Sequence, residues 1–221
     1  MSGFATARQK MVDGQVRPSD VTDIRILDAM LAVPREAFVP PNQRALAYLD
    51  LDLDISEAAS AKRFLIKPLV IAKMLQAAEI KETDKVLVAG CATGYTAALV
   101  ARLAAQVTAI ESDPAQAAKA REVLAQLGLG NVTFGGTAAA EGDPANAPYD
   151  VIVLDGATEV TPDRLYRQLK DGGRLVGVFA VTKPPRAMIV TQSRGDFGHR
   201  TLFDAAVPVL PGFERLPAFV F

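Results

Sequence analysis

The residues best suited to chemistry form a turn bounded by two glycines, Gly90-Cys-Ala-Thr-Gly94. The run before it, Lys85 to Ala89, is typical of a strand buried in a parallel sheet, and the alanines and leucines from Tyr95 onward predict a helix. Glycine allows a positive φ and lets the backbone approach a ligand closely. The strand, turn and helix together predict a nucleotide-type binding site.

An acidic residue lies at the spacing from this turn that a ribose site requires. Glu111 ends a second apolar run, 21 residues after Gly90 (111 minus 90), and a carboxylate at the tip of the second strand binds ribose hydroxyls in dinucleotide sites. Ala92 stands where the middle glycine of the three-glycine pattern is expected, which argues against a nicotinamide oxidoreductase. A second interpretation of Glu111 stays open, because Asp113 and Pro114 are favoured at a helix start.

Strand and helix patterns alternate along the second part of the chain and predict an α/β fold with a doubly wound, mostly parallel sheet. Four predicted strands end near Gly90, Glu111, Gly136 and Asp155, at the edge where such sheets bind ligands. The predicted strands are 85–89, 107–111, 131–134, 149–155, 174–181, its antiparallel edge partner 187–191, and a last strand within 205–210. Helices are predicted over 115–127 and 162–169, and a turn over 170–173.

The first 80 residues predict an N-terminal helical cap and a substrate loop, joined to a cofactor-binding sheet over 81–221 in a single domain, 1–221. Helices are predicted over 4–14, 23–33, around 43–48 and from Pro68, with Ile24, Leu27, Met30 and Leu31 on one face of the second helix. Alternating acids over 50–55 predict an edge strand with Asp50, Asp52 and Asp54 in solvent, and a metal site there is the weaker interpretation.

Composition narrows the class of protein. The chain has 221 residues, half of them hydrophobic, with 24 basic and 25 acidic residues, so no charge excess favours nucleic acid or anionic lipid. Without an apolar run near the ~18 residues of a spanning helix, or a secretory start, we expect a cytoplasmic protein. Cys91 is the single cysteine, and His199 is the single histidine, so a histidine-based metal cluster is excluded; we expect His199 in a surface turn.

Over nearly its full length the chain resembles the protein-L-isoaspartate O-methyltransferase family. The matching segments are 11–18, 33–40 (Val-Pro-Arg-Glu-Ala-Phe-Val-Pro), 47–50, 90–95, 148–157 and 169–175. The resemblance implies a Rossmann-like methyltransferase fold and S-adenosylmethionine as cofactor. It also implies a protein or peptide substrate with damaged aspartyl residues, whose carboxyl group receives the methyl group during repair.

The implied cofactor site follows the strand ends. The turn would hold the methionine part, Glu111 the ribose, and the substrate would lie under the N-terminal cap. The predicted cofactor-binding residues are Val88, Gly90, Cys91, Ala92, Gly94, Tyr95, Glu111, Ser112, Gly136, Thr137 and Asp155. The sequence leaves the catalytic residues unassigned and predicts no residue to bind a metal. This account requires open space for a sugar beside Glu111.

Three positions depart from the family pattern. Val88 replaces an acid that anchors the cofactor's amino acid part, and Gly136 replaces an aspartate that helps hold the adenine. Together these changes weaken cofactor binding by up to about 3–6 kcal/mol, which predicts weak or lost cofactor binding. Ile66 replaces the serine of the substrate loop, and loss of one preorganised polar group lowers rates by ~10²–10³. The alternative is therefore a catalytically degenerate member that binds without catalysis.

The substrate loop is also basic, with Lys62, Arg63 and Lys67 close to its altered serine position. These cations could bind a different anion. The favoured interpretation is a solvated basic loop, because long cationic side chains extend their charged ends into water.

Overall fold

The computed structural model describes residues 3–56 and 62–216. The α-helices are α1 Gly3–Met11, α2 Ile24–Ala32, α3 Pro68–Ala78, α4 Tyr95–Ala101, α5 Pro114–Gln126 and α6 Asp163–Tyr166, and shorter helical turns cover Val12–Val16, Arg17–Ser19, Arg35–Phe38, Pro41–Leu46 and Pro144–Asn146. The strands are β1 Leu53–Asp54, β2 Phe64–Leu65, β3 Lys85–Ala89, β4 Gln106–Ile110, β5 Val132–Gly135, β6 Tyr149–Thr158, β7 Leu169–Phe179, β8 Arg186–Ser193 and β9 Asp196–Asp204.

The main sheet has seven strands in the order β5-β4-β3-β6-β7-β8-β9. Strands β5 to β7 in this order are parallel, and β8 and β9 add antiparallel pairs at one edge. The chain runs outward from β3 to β5 and then crosses back to place β6 on the other side of β3. Ligands bind beside such a reversal, at the carboxyl ends of the strands. The predicted fold class is therefore confirmed.

Strand β3 explains why this sheet forms a buried core. Val86 and Val88 pack in the hydrophobic cluster on one face of the sheet, while Leu87 and Ala89 pack in the cluster on the other face. Successive strand residues point to opposite faces, so a continuous apolar run is what a strand covered on both sides requires. Every residue of α4 is buried as well, because this helix follows directly from the central strand.

The last strand differs from the prediction. It is β9, not the segment 205–210, and the exposed His199 lies on this edge strand rather than in a turn. Arg194 and Gly195 both have positive φ and form the two-residue connection of a β8–β9 hairpin, which the sequence analysis missed. Residues 205–213 instead cross back over the sheet, where Val209 forms a parallel bridge with Ala157.

Two further predictions near β7 and α2 were wrong. Residues 170–173 form no separate turn: β7 starts at Leu169 and contains an irregularity, because Tyr149 pairs with Leu169 whereas Val151 pairs with Arg174. Helix α6 is shorter than the predicted helix 162–169, because it ends at Tyr166 before β7 begins. On α2, Leu27 and Met30 are buried as predicted, but Ile24 lies 68% exposed in its first turn.

The acidic segment before β1 is not an alternating edge strand. Asp50 accepts a hydrogen bond from the Leu69 backbone N–H at 3.1 Å, and Asp52 accepts one from the Lys67 N–H at 2.8 Å. Both acids thereby satisfy free backbone groups at the start of α3, where negative charge is favourable. Only Asp54 belongs to β1, and it pairs with Lys62. The prediction of three solvated acids was wrong for this reason. Residues 57–61 and 217–221 lie outside the described residues, and the second range holds most of the apolar end of the chain, 216–221.

Candidate functional site

The glycine turn joins β3 to α4 at the carboxyl edge of the sheet. Gly90, Ala92 and Gly94 have φ values of +74°, +49° and +94°. The backbone N–H groups of Gly90 and Cys91 both donate to the Ile110 carbonyl at 3.0 Å, which ties the turn to the end of β4. Because Ala92 adopts a left-handed conformation usually taken by glycine, its identity is a weaker argument against a tight glycine turn than the sequence suggested.

Glu111 lies directly beside this turn. Its Oε2 accepts a hydrogen bond from the Ala92 N–H at 2.8 Å, and its Oε1 accepts one from the Asp113 N–H at 3.0 Å. Asp113 in turn caps α5 by accepting from the Ala115 N–H at 2.9 Å. Glu111 thus lies at the strand end where a carboxylate that binds ribose hydroxyls is expected. It also holds Asp113, the capping residue of α5, so the two interpretations are compatible.

Arg63 reaches the same carboxylate from the substrate loop. Its side chain is 6% exposed, and Nη2 donates both to Glu111 Oε2 and to the Gly90 carbonyl, the latter at 2.8 Å. Arg63 directly precedes β2, and its carbonyl accepts a hydrogen bond from the Ile55 N–H. Its side chain lies inward, while the neighbouring Lys62 is exposed and pairs with Asp54. The interpretation of a solvated basic loop is wrong for Arg63. No signal in the sequence singled it out from Lys62.

The Leu210 side chain packs against the glycine turn at Gly90. A Cβ added at Gly90 would lie 2.7 Å from Leu210 Cδ2 and 3.3 Å from Arg63 Nη2. A Cβ at Gly156 would lie 2.7 Å from Leu210 Cγ. The sequence predicted open space for a sugar beside Glu111, filled by neither backbone nor side chains. This prediction is not met in the present conformation, because the Arg63 side chain lies against Glu111.

Two buried titratable residues, Asp155 and Cys91 of the turn itself, lie at the site. Asp155 is buried and accepts a hydrogen bond from the Thr96 hydroxyl at 2.7 Å, and burial raises its pKa to about 7. Burial also raises the pKa of the Cys91 thiol, and the carboxylates of Glu111 and Asp155 act in the same direction. A thiol with a raised pKa is a poor nucleophile, so Cys91 is a packing residue of the turn.

The other predicted cofactor residues are more dispersed. Val88 is fully buried in β3 between Ala109 and Val153, so its side chain lies in the core. Tyr95 is also fully buried, beneath the Arg35 guanidinium, which lies 4.7 Å from its ring centroid.

Ser112 is exposed after β4, and Gly136 and Thr137 follow β5. A Cβ on Gly136 would meet nothing within 4 Å, so this end of the site is open. The Thr137 hydroxyl is directed away to the Gly142 carbonyl at 2.7 Å.

Ile66, at the position where the family has a serine, is buried and packs in the core. Its carbonyl accepts a hydrogen bond from Arg35 Nη2 at 2.8 Å. Arg35 itself is fully buried, donates from Nε to the Ala47 carbonyl, and has its pKa lowered by burial. This arginine therefore joins the cap to the substrate loop.

A cavity of about 360 Å³ lies under the cap, next to the site. Thr93 of the glycine turn lines this cavity, and its hydroxyl donates to the Phe38 carbonyl at 2.6 Å. Arg44 and Lys119 contribute positive charge, and the buried Oε1 of Gln116 has no hydrogen-bond partner within the described chain. The cavity can therefore receive a polar, negatively charged chain.

The reversal of strand order beside β3, the glycine turn and the carboxylate after β4 define a doubly wound α/β protein of the class that binds nucleoside-containing ligands. A family model described as Protein-L-isoaspartate(D-aspartate) O-methyltransferase matches residues 6–197. The chain belongs to the protein-L-isoaspartate O-methyltransferase family, whose members use S-adenosylmethionine.

Relatives and solved structures agree with this assignment. The chain is 41% identical over 221 residues to a protein-L-isoaspartate O-methyltransferase of Koribacter versatilis, covering 99% of this chain and 97% of the relative. It is 40% identical over 169 residues to one of Methanoculleus marisnigri, covering 76% and 75%. Nothing in these comparisons supports the non-enzymatic alternative.

Two solved structures share the fold. A protein-L-isoaspartate O-methyltransferase aligns with a TM-score of 0.81 at 23% identity, over 93% of this chain and 66% of that one. A putative enzyme of the same name from Plasmodium falciparum, in complex with S-adenosyl-L-homocysteine, aligns with a TM-score of 0.76 at 15% identity, over 95% and 99%.

The site fits an adenosyl cofactor in position but not in this conformation. The glycine turn, Glu111 and the open end at Gly136 have the expected arrangement at neighbouring strand ends. Arg63 nevertheless contacts Glu111 at the position where a sugar would need room. Binding of a ribose at Glu111 therefore requires the Arg63 side chain to move.

In the part of the chain that the structure describes, 3–56 and 62–216, every helix is too short or too polar to cross a bilayer.

Proposed function

We propose that this chain is an S-adenosylmethionine-dependent protein carboxyl methyltransferase that methylates isoaspartyl residues of damaged proteins or peptides. The observation that carries the proposal is the hydrogen bond between the glycine turn and Glu111, which places a ribose-type carboxylate beside the turn after the central strand. Family membership supplies the reaction and the substrate class.

The residues of the site divide the work between binding and positioning. We assign the backbone of 90–94 to the methionine part of the cofactor, Glu111 to the ribose hydroxyls and the open end at Gly136 to the adenine side. The cofactor, when bound, supplies an electrophilic methyl group. A substrate carboxylate is itself the nucleophile, so the chain needs to align it and needs no strong base.

We assign the peptide substrate to the cavity under the cap. Its lining combines Phe38 and Pro40 with the cations Arg44 and Lys119, which suits an extended chain that carries a carboxylate. The buried Gln116 Oε1 offers an acceptor for a backbone N–H of the peptide. We place the protein in the cytoplasm, where the single buried thiol of Cys91 stays reduced.

Transfer of labelled methyl groups tests the activity. The full chain is incubated with methyl-labelled S-adenosylmethionine and an isoaspartyl peptide, or with the same peptide containing normal aspartate. We expect label in the isoaspartyl peptide alone, and its release as methanol in mild base, because a carboxyl methyl ester is hydrolysed there. No incorporation above a protein-free sample would refute the proposed function.

A matched pair of glycine variants links the activity to the site. Gly130 and Gly136 precede and follow β5, and a Cβ at either position meets nothing within 4 Å. We expect Gly136→Val to keep the fold but to abolish transfer, because its side chain projects into the adenine end. Gly130→Val should retain wild-type activity. Equal activity in both variants would show that the cofactor binds elsewhere.

A further inference from the structure

Arg63 occupies the position beside Glu111 that the proposed function gives to a ribose. Its Nη2 donates to Glu111 Oε2 and to the Gly90 carbonyl, so one cation joins the carboxylate proposed to bind ribose to the glycine turn. Both partners are groups that an adenosyl ligand would face. We propose that Arg63 is a built-in competitor of the cofactor, and that its side chain must leave Glu111 before an adenosyl ligand can bind. This inference rests on the proposed function.

The hydrogen bonds of Glu111 make the competition direct. Oε1 accepts from the Asp113 N–H, and Oε2 accepts from both the Ala92 N–H and Arg63. A ribose diol binds such a carboxylate by donating two further hydrogen bonds, and Arg63 already occupies one of the acceptor sites that this requires, on Oε2. The two backbone donors remain when Arg63 leaves, so Glu111 stays oriented toward the incoming ligand.

The contacts of Arg63 among the residues that the structure describes leave part of its guanidinium unsatisfied, so they are weak evidence that the residue stabilises the fold. Its Nε is buried without a hydrogen-bond partner within the described chain, although Nη2 is fully used. A buried ion pair with an unsatisfied donor is weak evidence for a stabilising role, because desolvation opposes the attraction. The backbone is held separately, since the Arg63 N–H donates to Ser56 Oγ and its carbonyl accepts from the Ile55 N–H. The side chain can therefore rotate out while β2 stays in place.

Competition of this kind lowers apparent affinity by the fraction of molecules in the open state. Removal of the side chain should therefore strengthen ligand binding. We expect Arg63→Ala to bind S-adenosyl-L-homocysteine at least tenfold more tightly than the unaltered chain in calorimetric titration. Lys62→Ala is the matched control, because Lys62 is the exposed neighbouring cation and does not contact Glu111. It should bind like the unaltered chain.

The outcomes separate this inference from the proposed function. Equal or weaker binding by a folded Arg63→Ala variant overturns the competitor role and leaves the proposed function intact, provided that the unaltered chain binds. Absence of binding in both proteins overturns both proposals, since removal of the arginine would then have opened no cofactor site. Thermal unfolding without ligand establishes that the variants are folded.

A second measurement uses the unaltered chain and does not depend on how a variant folds. Phenylglyoxal modifies accessible arginines, and mass spectrometry locates the modified residues. We expect Arg63 to be protected without ligand and to become modified with S-adenosyl-L-homocysteine. Exposed Arg44 should react in both conditions, and fully buried Arg35 in neither. Continued protection of Arg63 at saturating ligand would overturn the inference.

Discussion

Asp155 is a buried acid whose ionisation is disfavoured in the folded protein. Burial raises its pKa to about 7 from an ordinary value of 3.8, and the hydrogen bond from Thr96 opposes this only in part. Between these values the unfolded chain has released the proton and the folded chain still holds it. The stability contributed by Asp155 therefore falls as pH rises from about 4 to 7 and is constant above 7.

We expect Asp155→Asn to remove this contribution to the pH dependence. The difference in free energy of unfolding between the variant and the unaltered chain should shift in favour of the variant by about 3 kcal/mol between pH 4.5 and 7, since one pKa unit corresponds to about 1.4 kcal/mol. Urea unfolding at both pH values measures it. Asp28→Asn, at an exposed position on α2, is the control. A difference independent of pH would contradict the assignment.

Single residues also show where sequence reasoning reached its limit in the site. Glu111 was predicted beside the glycine turn from a spacing alone, because two neighbouring parallel strands end at the same edge. Arg63 was predicted in solvent, because its sequence neighbourhood resembles that of Lys62. In the folded chain Arg63 lies inward against Glu111, whereas Lys62 lies outward and pairs with Asp54.

Helices α4 and α5 meet at the glycine turn, and their close approach depends on one missing side chain. A Cβ added at Gly94 would lie 2.8 Å from Leu124 Cδ1 and 3.0 Å from the Ala120 Cβ, both on α5. Gly94 also has a φ of +94°. A larger residue there faces both backbone strain and overpacking.

We expect Gly94→Ala to lower the free energy of unfolding by about 2–5 kcal/mol, from ~1–2 kcal/mol of left-handed strain and ~1–3 kcal/mol of overpacking. Gly128→Ala isolates the first contribution, because Gly128 has a φ of +69° and no atom within 4 Å of an added Cβ. It should cost only about 1–2 kcal/mol. Chemical denaturation of both variants measures the difference, and equal losses would show that α5 moves to accommodate the methyl group.

Most elements were predictable because their signals are local. The apolar runs that became β3, β4 and β6 lie within one residue of their predicted starts, since burial on both faces leaves a continuous hydrophobic pattern. The acids before β1 show the opposite case. Their alternation resembles a strand, but the α3 N-terminus, distant in the sequence, recruits Asp50 and Asp52 as hydrogen-bond acceptors.

At the scale of the whole molecule, residues 205–213 cross over the sheet next to the site. The Leu210 N–H donates to the Ala157 carbonyl at 2.9 Å, and the Ala157 N–H donates to the Pro208 carbonyl at 2.9 Å. The Leu210 side chain is buried against Gly90 and Gly156. Residues 208–210 are therefore part of the core that holds the glycine turn.

We expect Leu210→Ala to lower the free energy of unfolding by about 2–5 kcal/mol, the usual range for a buried leucine that leaves a cavity. Leu216→Ala is the control, because Leu216 is 85% exposed and its loss should change stability by less than about 0.5 kcal/mol. Guanidinium unfolding compares them. A loss no larger for Leu210 than for Leu216 would show that the segment is not part of the cooperative core.

Local patterns in the chain were sufficient for the α/β class, the central strands, the glycine turn and the carboxylate placed after β4, because periodicity and short spacings record which faces are buried. They could not reveal that Arg63 would bind Glu111 across 48 residues, or that Leu210 would cover Gly90. Such contacts arise where separate elements pack together, and the same side chain can lie in water or in the core according to what its neighbours leave open.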